Sequence, residues 1–304
     1  MPVSTSVHIS HCLQYIISLN PRSVLDVGCG FGLWGFLCRE YLDVMEERVQ
    51  PKDWKIRIDG LELFEPYIQA HQRALYSSIQ IGDIRKLAPG IGNYELIIAG
   101  DVIEHLDKHE GEAIIEQLYE KATRALLVNI PLGEGWEHPE RHGNPGELHR
   151  SQWVPEDFLP YPNIFQKFSL PAGDYGSFFC PKDCTVEQRV DGLLSAAEHK
   201  RGLGDIESAL RHLRQASELA PADHSIILYL TDTLLNAGKH DEGAVMLQKF
   251  LERDPAFHYG YLVLAKMLRA LRRNDEALGT LQRLLARPGL TGEERAQAEQ
   301  MLAR

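Results

Sequence analysis

Seven short β-branched or apolar runs lie between Ser23 and Cys180, and after about Val190 the chain has none. The runs are SVLDV, IRIDGLEL, SIQIGD, YELIIAG, ALLVNIP, NIFQKFSL and YGSFFC. The first five alternate with longer amphipathic stretches, the strand-helix-strand order that builds a parallel sheet. Only a Pro/Gly/Asp turn separates the last two, which therefore pair as an antiparallel hairpin. The expected fold class is α/β: a mostly parallel seven-stranded sheet with an antiparallel edge strand, followed by an all-α domain.

At 304 residues the chain exceeds one average domain. No apolar run approaches the ~20 residues that span a bilayer, so no membrane association is expected. The first residues, MPVSTSVHISHCLQYIISL, lack a basic start and a small-residue cleavage site, and are read as a first helix rather than a signal peptide. Five scattered cysteines, Cys12, Cys29, Cys38, Cys180 and Cys184, point to free thiols in a reducing, cytoplasmic setting. The formal net charge of −11 would repel a polyphosphate backbone, which makes nucleic acid an unlikely partner.

The helical part carries a period. Ala209, Gly243 and Ala277 are 34 apart, as are Leu213, Leu247 and Leu281, while Pro221 and Pro255 are followed in the third slot by Gly289 beside Pro288. Leu193, Ile227 and Tyr261 occupy an aromatic-type landmark at the same spacing. The pattern resembles the tetratricopeptide repeat, whose small residue lets two helices approach closely and whose proline ends the second helix. The expected domains are 1–182 for the sheet, 183–189 for a linker, and 190–304 for three repeats with a polar capping helix from Thr291. Such arrays form a groove, so the resemblance implies a possible protein partner there, with self-association or plain stabilisation as the alternative.

In Val24-Leu-Asp-Val-Gly-Cys-Gly-Phe-Gly32 a buried strand runs into a glycine-rich turn and then a helix. Gly28, Gly30 and Gly32 remove the Cβ atoms that would keep a ligand from the backbone. The third glycine is one residue early for a dinucleotide fingerprint, and Asp26 before the first would repel a pyrophosphate. A ligand with a sulfonium and an ammonium would instead be attracted. The segment resembles motif I of Rossmann-like class I S-adenosylmethionine-dependent methyltransferases, and the likeness extends over about residues 10 to 180. It implies S-adenosylmethionine as cofactor. Glu62, with Leu63 beside it, takes the place of the acid that holds the ribose hydroxyls. Asp83 stands where the adenine amino group is met, with the Ile84 backbone next to it, and Asp101 ends the fourth strand at the ligand edge. The long Asp26-to-Glu62 interval is read as an extended first helix and loop through MEERVQPKDW.

Methyl transfer from a sulfonium needs alignment above all, and a base only where the acceptor carries a proton. The candidates are Asp101, Glu104 and His105 after the fourth strand, and His138, His142 and His149 in a long loop rich in Trp, His and Gly that suits a substrate lid. Glu104, His105 and His149 are the catalytic candidates; helix-start roles, and packing of His149 on Trp153, are the alternatives. Asp101, Glu104, His105 and His149 also resemble the Mg²⁺- or Mn²⁺-binding set of small-RNA 3′-terminal 2′-O-methyltransferases, with Asp in place of the first Glu. Cys29 is read as space-filling. Cys180 and Cys184 are read as two thiols, with a structural zinc as the weaker reading. The expected activity is methyl transfer to an oxygen, nitrogen or carbon of a small molecule or glycan, or of a protein recruited by the repeats. A metal-dependent RNA 2′-O-methyltransferase and a non-catalytic scaffold are the alternatives.

Overall fold

A computed structural model describes residues 5–136 and 143–303 of the chain. It divides into two compact units, Met1–Thr185 and Val186–Arg304.

The first unit is built on seven strands: β1 (Ser23–Val27), β2 (Arg57–Glu62), β3 (Ser78–Ile81), β4 (Tyr94–Gly100), β5 (Ala122–Leu132), β6 (Ile164–Leu170) and β7 (Gly173–Pro181). Their order is β3-β2-β1-β4-β5-β7-β6. Strands β1 to β5 are parallel, and β7 runs antiparallel to both β5 and β6. The hairpin thus enters the sheet with its second strand inboard. Composition explains why: Tyr175 to Cys180 of β7 are all buried, as an interior strand requires, whereas β6 interleaves Gln166, Lys167 and Ser169 and is largely exposed, as an edge tolerates.

Among the described residues the α-helices of this unit are α1 (Ile9–Leu19), α2 (Leu33–Leu42), α3 (Ala70–Leu75), α4 (Ile84–Leu87) and α5 (Lys108–Lys121). Alternate residues of the central strands face opposite layers. Leu25, Val27, Ile97, Ala99, Leu126 and Val128 join Ile114, Ile115 and Leu118 of α5 on one side. Val24, Leu96, Ile98 and Leu127 join Cys12 and Ile16 of α1 and Trp34 and Cys38 of α2 on the other. The strand order reverses between β1 and β4, which opens a crevice at their carboxyl ends.

The extended first helix is not there. Helix α2 stops at Leu42, and the rest of the interval is a loop with short turns at Val44–Glu46 and Pro51–Asp53. Asp43, fully buried, ends the helix by gathering donors: the Arg39 guanidinium, Arg48 Nε at 2.7 Å and the Lys55 amide at 2.9 Å. A carboxylate with so many local donors gains more from the loop than from another helical turn.

The second unit holds α6 (Val186–Gly202), α7 (Ile206–Leu219), α8 (His224–Asn236), α9 (His240–Arg253), α10 (His258–Ala270), α11 (Asn274–Leu285) and α12 (Gly292–Leu302). Residues 186–189, placed in a linker by sequence, form the first turn of α6. The helices follow one another as three hairpins and a terminal helix. Ala209, Ala277, Leu213, Leu247 and Leu281 are fully buried where the hairpins close, and a Cβ on Gly243 would stand 2.5 Å from Met267 Cε. Helix α12 is polar along most of its length but buries Ala298 and packs Met301 and Leu302 on the core, and it starts on a reciprocal cap between Thr291 and Glu294. Among the described residues, no helix is long and apolar enough to cross a membrane.

Candidate cofactor and acceptor site

A cavity of about 490 Å³ opens at the carboxyl ends of β1 and β4. Its floor is the bend that follows β1. Gly28, Gly30 and Gly32 all have left-handed φ, of 68°, 48° and 83°. At Gly28 the absence of a side chain is obligatory, since a Cβ would lie 2.2 Å from Val102 Cγ2. Four amides of the bend are spent within the protein. Gly28 and Cys29 donate to the Leu61 carbonyl at 2.7 and 3.0 Å, Gly32 to the Cys29 carbonyl at 2.7 Å, and Gly30 to Glu62 Oε2 at 2.9 Å.

Glu62 therefore closes the bend from β2. Its other oxygen accepts from the Phe64 amide at 2.9 Å. The side chain is nearly buried yet lines the cavity, and burial raises its pKa against the pull of the Phe64 and Gly30 amides. Leu63, half exposed, lines the wall beside it. Across the cavity Asp101 follows β4 with φ 52°, a left-handed conformation uncommon away from glycine, and its Oδ1 accepts from the Tyr175 hydroxyl at 2.8 Å.

Two expected cofactor residues are differently employed. Asp26 is absent from the cavity wall. It lies behind the bend, 1% exposed, and accepts a 2.5 Å hydrogen bond from Tyr76, whose oxygen in turn receives the Gly35 amide. Burial raises the Asp26 pKa to about 7, so about half of its charge is withdrawn at neutral pH. Asp83 does line the cavity with Ile84, but it caps α4 and both its oxygens are taken by Arg85, which also reaches Glu110. Arg85 holds the Asp83 carboxyl below its usual range.

Sequence reasoning missed Trp34, Tyr67, Asn144 and Glu147, all on the wall. Glu147 is buried and accepts from Tyr67 at 2.9 Å. The turn signal Asn144-Pro-Gly-Glu147 was available, and nothing local paired it with Tyr67, 80 residues earlier. Four acids thus line the cavity, against Arg85 and Arg150.

The catalytic candidates converge beside this cavity. Glu104 and His105 sit on a 3-10 turn at Ile103–His105, and His149 comes from the loop after β5. Glu104 is 1% exposed, and neither carboxylate oxygen has a hydrogen-bond partner among the described residues. Burial, then the charge of Asp101, pushes its pKa well above the ordinary value. His105 Nδ1 faces the Leu148 carbonyl at 3.3 Å and His149 Nδ1 the Trp136 carbonyl at 2.8 Å. Their Nε2 atoms stand 4.0 and 3.9 Å from the same Glu104 Oε1. These three residues bring their ligand atoms within 4.8 Å of one another; Asp101, the fourth of the expected metal set, is not in that group. Trp153 packs on Phe158 and under Lys108, while His149 meets the ring of His105. His138 and His142 lie outside the described residues.

A second cavity, of about 1060 Å³, lies on the far side of this cluster. Glu104, His149, Trp136 and Lys108 line it, and Arg150 lines both cavities. All five cysteines are free thiols, and burial raises the pKa of Cys29 and Cys180 far from neutrality. Cys184 stands 3.9 Å from the Tyr119 hydroxyl.

No family model and no curated protein matches the chain. Solved structures similar to it include a magnesium protoporphyrin IX methyltransferase from Synechocystis PCC 6803, at 17% identity over 58% of this chain and 82% of that one, with a TM-score of 0.42. TehB from Haemophilus influenzae aligns at 15% identity over 59% and 64% of the two chains, with a TM-score of 0.43. Human N-acetylserotonin methyltransferase aligns at 14% identity over 59% and 52%, with a TM-score of 0.40. These scores are low, and the reading of the site rests on its own geometry.

Proposed function

We propose that the chain is an S-adenosylmethionine-dependent methyltransferase. One observation carries the reading: the amides of Gly28, Cys29, Gly30 and Gly32, which a phosphate-binding turn would aim at its ligand, are consumed by Leu61, Cys29 and Glu62. A pyrophosphate would find none of these four donors open to it. A cationic sulfur nucleoside needs none, and it meets a wall with four acids.

When bound, the cofactor supplies a methyl group already activated by a sulfonium. Glu62 would hold the ribose hydroxyls, because its two oxygens retain lone pairs after accepting the Gly30 and Phe64 amides. Asp101 and the bend would hold the amino-acid end. With Asp83 saturated by Arg85, the Ile84 backbone and the Leu63 side chain are left to seat the base. The acceptor would enter from the second cavity, whose size suits a small molecule or a glycan unit. The helical hairpins are read as tetratricopeptide repeats that recruit a protein, as substrate or as partner.

Calorimetric titration of the full chain with S-adenosylmethionine tests the reading. Saturable heat is expected, at least tenfold weaker in Glu62→Gln. No heat at millimolar cofactor would favour the scaffold alternative. Tritiated methyl transfer into fractionated lysate then assigns the acceptor, and label entering RNA would displace the small-molecule reading.

A further inference from the structure

We infer that Arg150 and Trp136 form a binding subsite for a planar organic acid in the larger cavity, the guanidinium pairing with its carboxylate and the indole carrying its ring. That this acid is the methyl acceptor rests on the methyl-transfer reading; the subsite itself does not.

The charges around the two cavities single out Arg150. The lysine and arginine side chains on the walls are Arg85 and Arg150 in the smaller cavity and Lys108 and Arg150 in the larger. Arg85 is held by Asp83 and Glu110. Lys108 is committed as well: its Nζ donates to the Gln152 carbonyl at 2.8 Å and to Asp157, and lies 3.7 Å over the Trp153 ring. The Arg150 guanidinium has no hydrogen bond, ion pair or ring contact among the described residues. Its backbone, by contrast, is anchored. The Arg150 and Ser151 amides both donate to the Glu104 carbonyl, at 2.8 and 3.1 Å, and Ser151 Oγ accepts from the buried Trp153 indole at 2.8 Å. A fork of donors on a fixed backbone, open to both cavities, is equipped to take an anion.

Trp136 is fixed in the same wall. Its Nε1 donates to the Asp174 carbonyl at 2.9 Å, and Gly173 makes the room for it, since a Cβ there would stand 2.6 Å from that nitrogen. With the N–H spent, the indole contributes apolar surface, together with Pro131 and Leu148 of the same cavity. A flat ligand gains contact with a ring that is already ordered, at little entropic cost.

The ligand's charge follows from the balance of the wall. One uncommitted guanidinium matches one negative charge, and its two parallel N–H groups fit a carboxylate. A phosphate dianion would leave charge unbalanced beside Glu134, which lines the same cavity. A neutral glycan unit would leave the guanidinium unmatched. Because Arg150 borders the cofactor cavity too, an acid paired with it is held at the partition across which a methyl group would pass.

The test is calorimetric titration of the full chain, without cofactor, with naphthoate and with its uncharged counterpart naphthamide. Naphthoate is expected to bind at least tenfold more tightly. That preference should vanish in Arg150→Gln and survive in part in Arg150→Lys, while Trp136→Leu should weaken both probes by similar factors. The two probes on the native chain decide the matter even where a variant fails to fold. Equal affinity for the two, no binding of either at millimolar concentration, or a preference that persists in Arg150→Gln would overturn the subsite. Tighter binding of naphthyl phosphate than of naphthoate would overturn the choice of a carboxylate. Cofactor heat on the same preparation separates the two readings: heat without acid preference removes the subsite and leaves the methyltransferase, and acid preference without heat does the reverse.

Discussion

The two units of the chain are stabilised by different means. In the sheet unit Asp26, Asp43, Glu62, Glu104 and Glu147 are buried carboxylates, and their partners are often far away in sequence: Tyr76 is 50 residues from Asp26, Gly30 is 32 from Glu62. In the helical unit ion pairs such as Arg214 with Glu242 and Arg273 with Glu276 lie at the surface, and the interior is mainly apolar, with Leu and Ala at a fixed spacing and Lys200 and His212 as its buried basic groups. Exposed pairs contribute about 0–1 kcal/mol each, whereas an uncompensated buried charge costs several. The sheet unit accepts that burden because polar groups at strand ends make a site; the helices have only to stack. If so, changes of charge and pH should act on the first unit and leave the second nearly indifferent.

The largest effect is expected at Asp43. Removing it by Asp43→Ala leaves the buried Arg39 without its carboxylate and should destabilise the sheet unit by about 3–5 kcal/mol in denaturant unfolding. Burial alone would raise the Asp43 pKa, but the Lys55 amide, Arg48 and Arg39 together hold it below its usual value. Its contribution is therefore complete above the unfolded pKa of about 3.9, and is lost as pH falls through the lower folded value. Equal acid sensitivity in Asp43→Ala and the native chain would contradict this.

Asp26 has the opposite sign. Its folded pKa of about 7 exceeds the unfolded value, so between about pH 4 and 7 the native state holds a proton that the unfolded state has released. Stability of the sheet unit should fall as pH rises through that window and then level off. Asp26→Asn should abolish the slope and stabilise the unit at pH 8 by about 2–4 kcal/mol. A slope that persists in the variant would mean that another group titrates.

Asp26 also marks the limit of what could be read from sequence. The strands, the hairpin and the glycine bend follow from local periodicity and turn chemistry, which need only neighbours along the chain. That Asp26 turns its back on the cavity depends on Tyr76, which enters from beyond β2. Of the expected extended helix and loop after β1 only the loop is present: Met45-Glu-Glu-Arg48 has good helix formers, but Asp43 collects donors from both sides of the loop. Asp101 is placed at the ligand edge by its position in sequence, but no local signal announces the hydrogen bond it accepts from Tyr175 of β7.

The same substitution in both units gives the sharpest comparison. Gly28→Ala forces a Cβ to 2.2 Å from the branched carbon of Val102 at a left-handed φ of 68°; neither the strand end nor the β-branched neighbour can yield cheaply. It should cost at least about 2 kcal/mol and abolish cofactor heat. Gly243→Ala also makes a nominal clash, 2.5 Å from Met267 Cε, but that atom ends a flexible side chain and Gly243 lies within helix α9. Alanine recovers about 1 kcal/mol of helix propensity there, so the net change should be under about 1 kcal/mol in either direction, with cofactor heat untouched. A cost at Gly243 matching that at Gly28 would mean that the hairpins, too, depend on one fixed close approach, and the contrast between a unit built around a site and a unit built by stacking would fail.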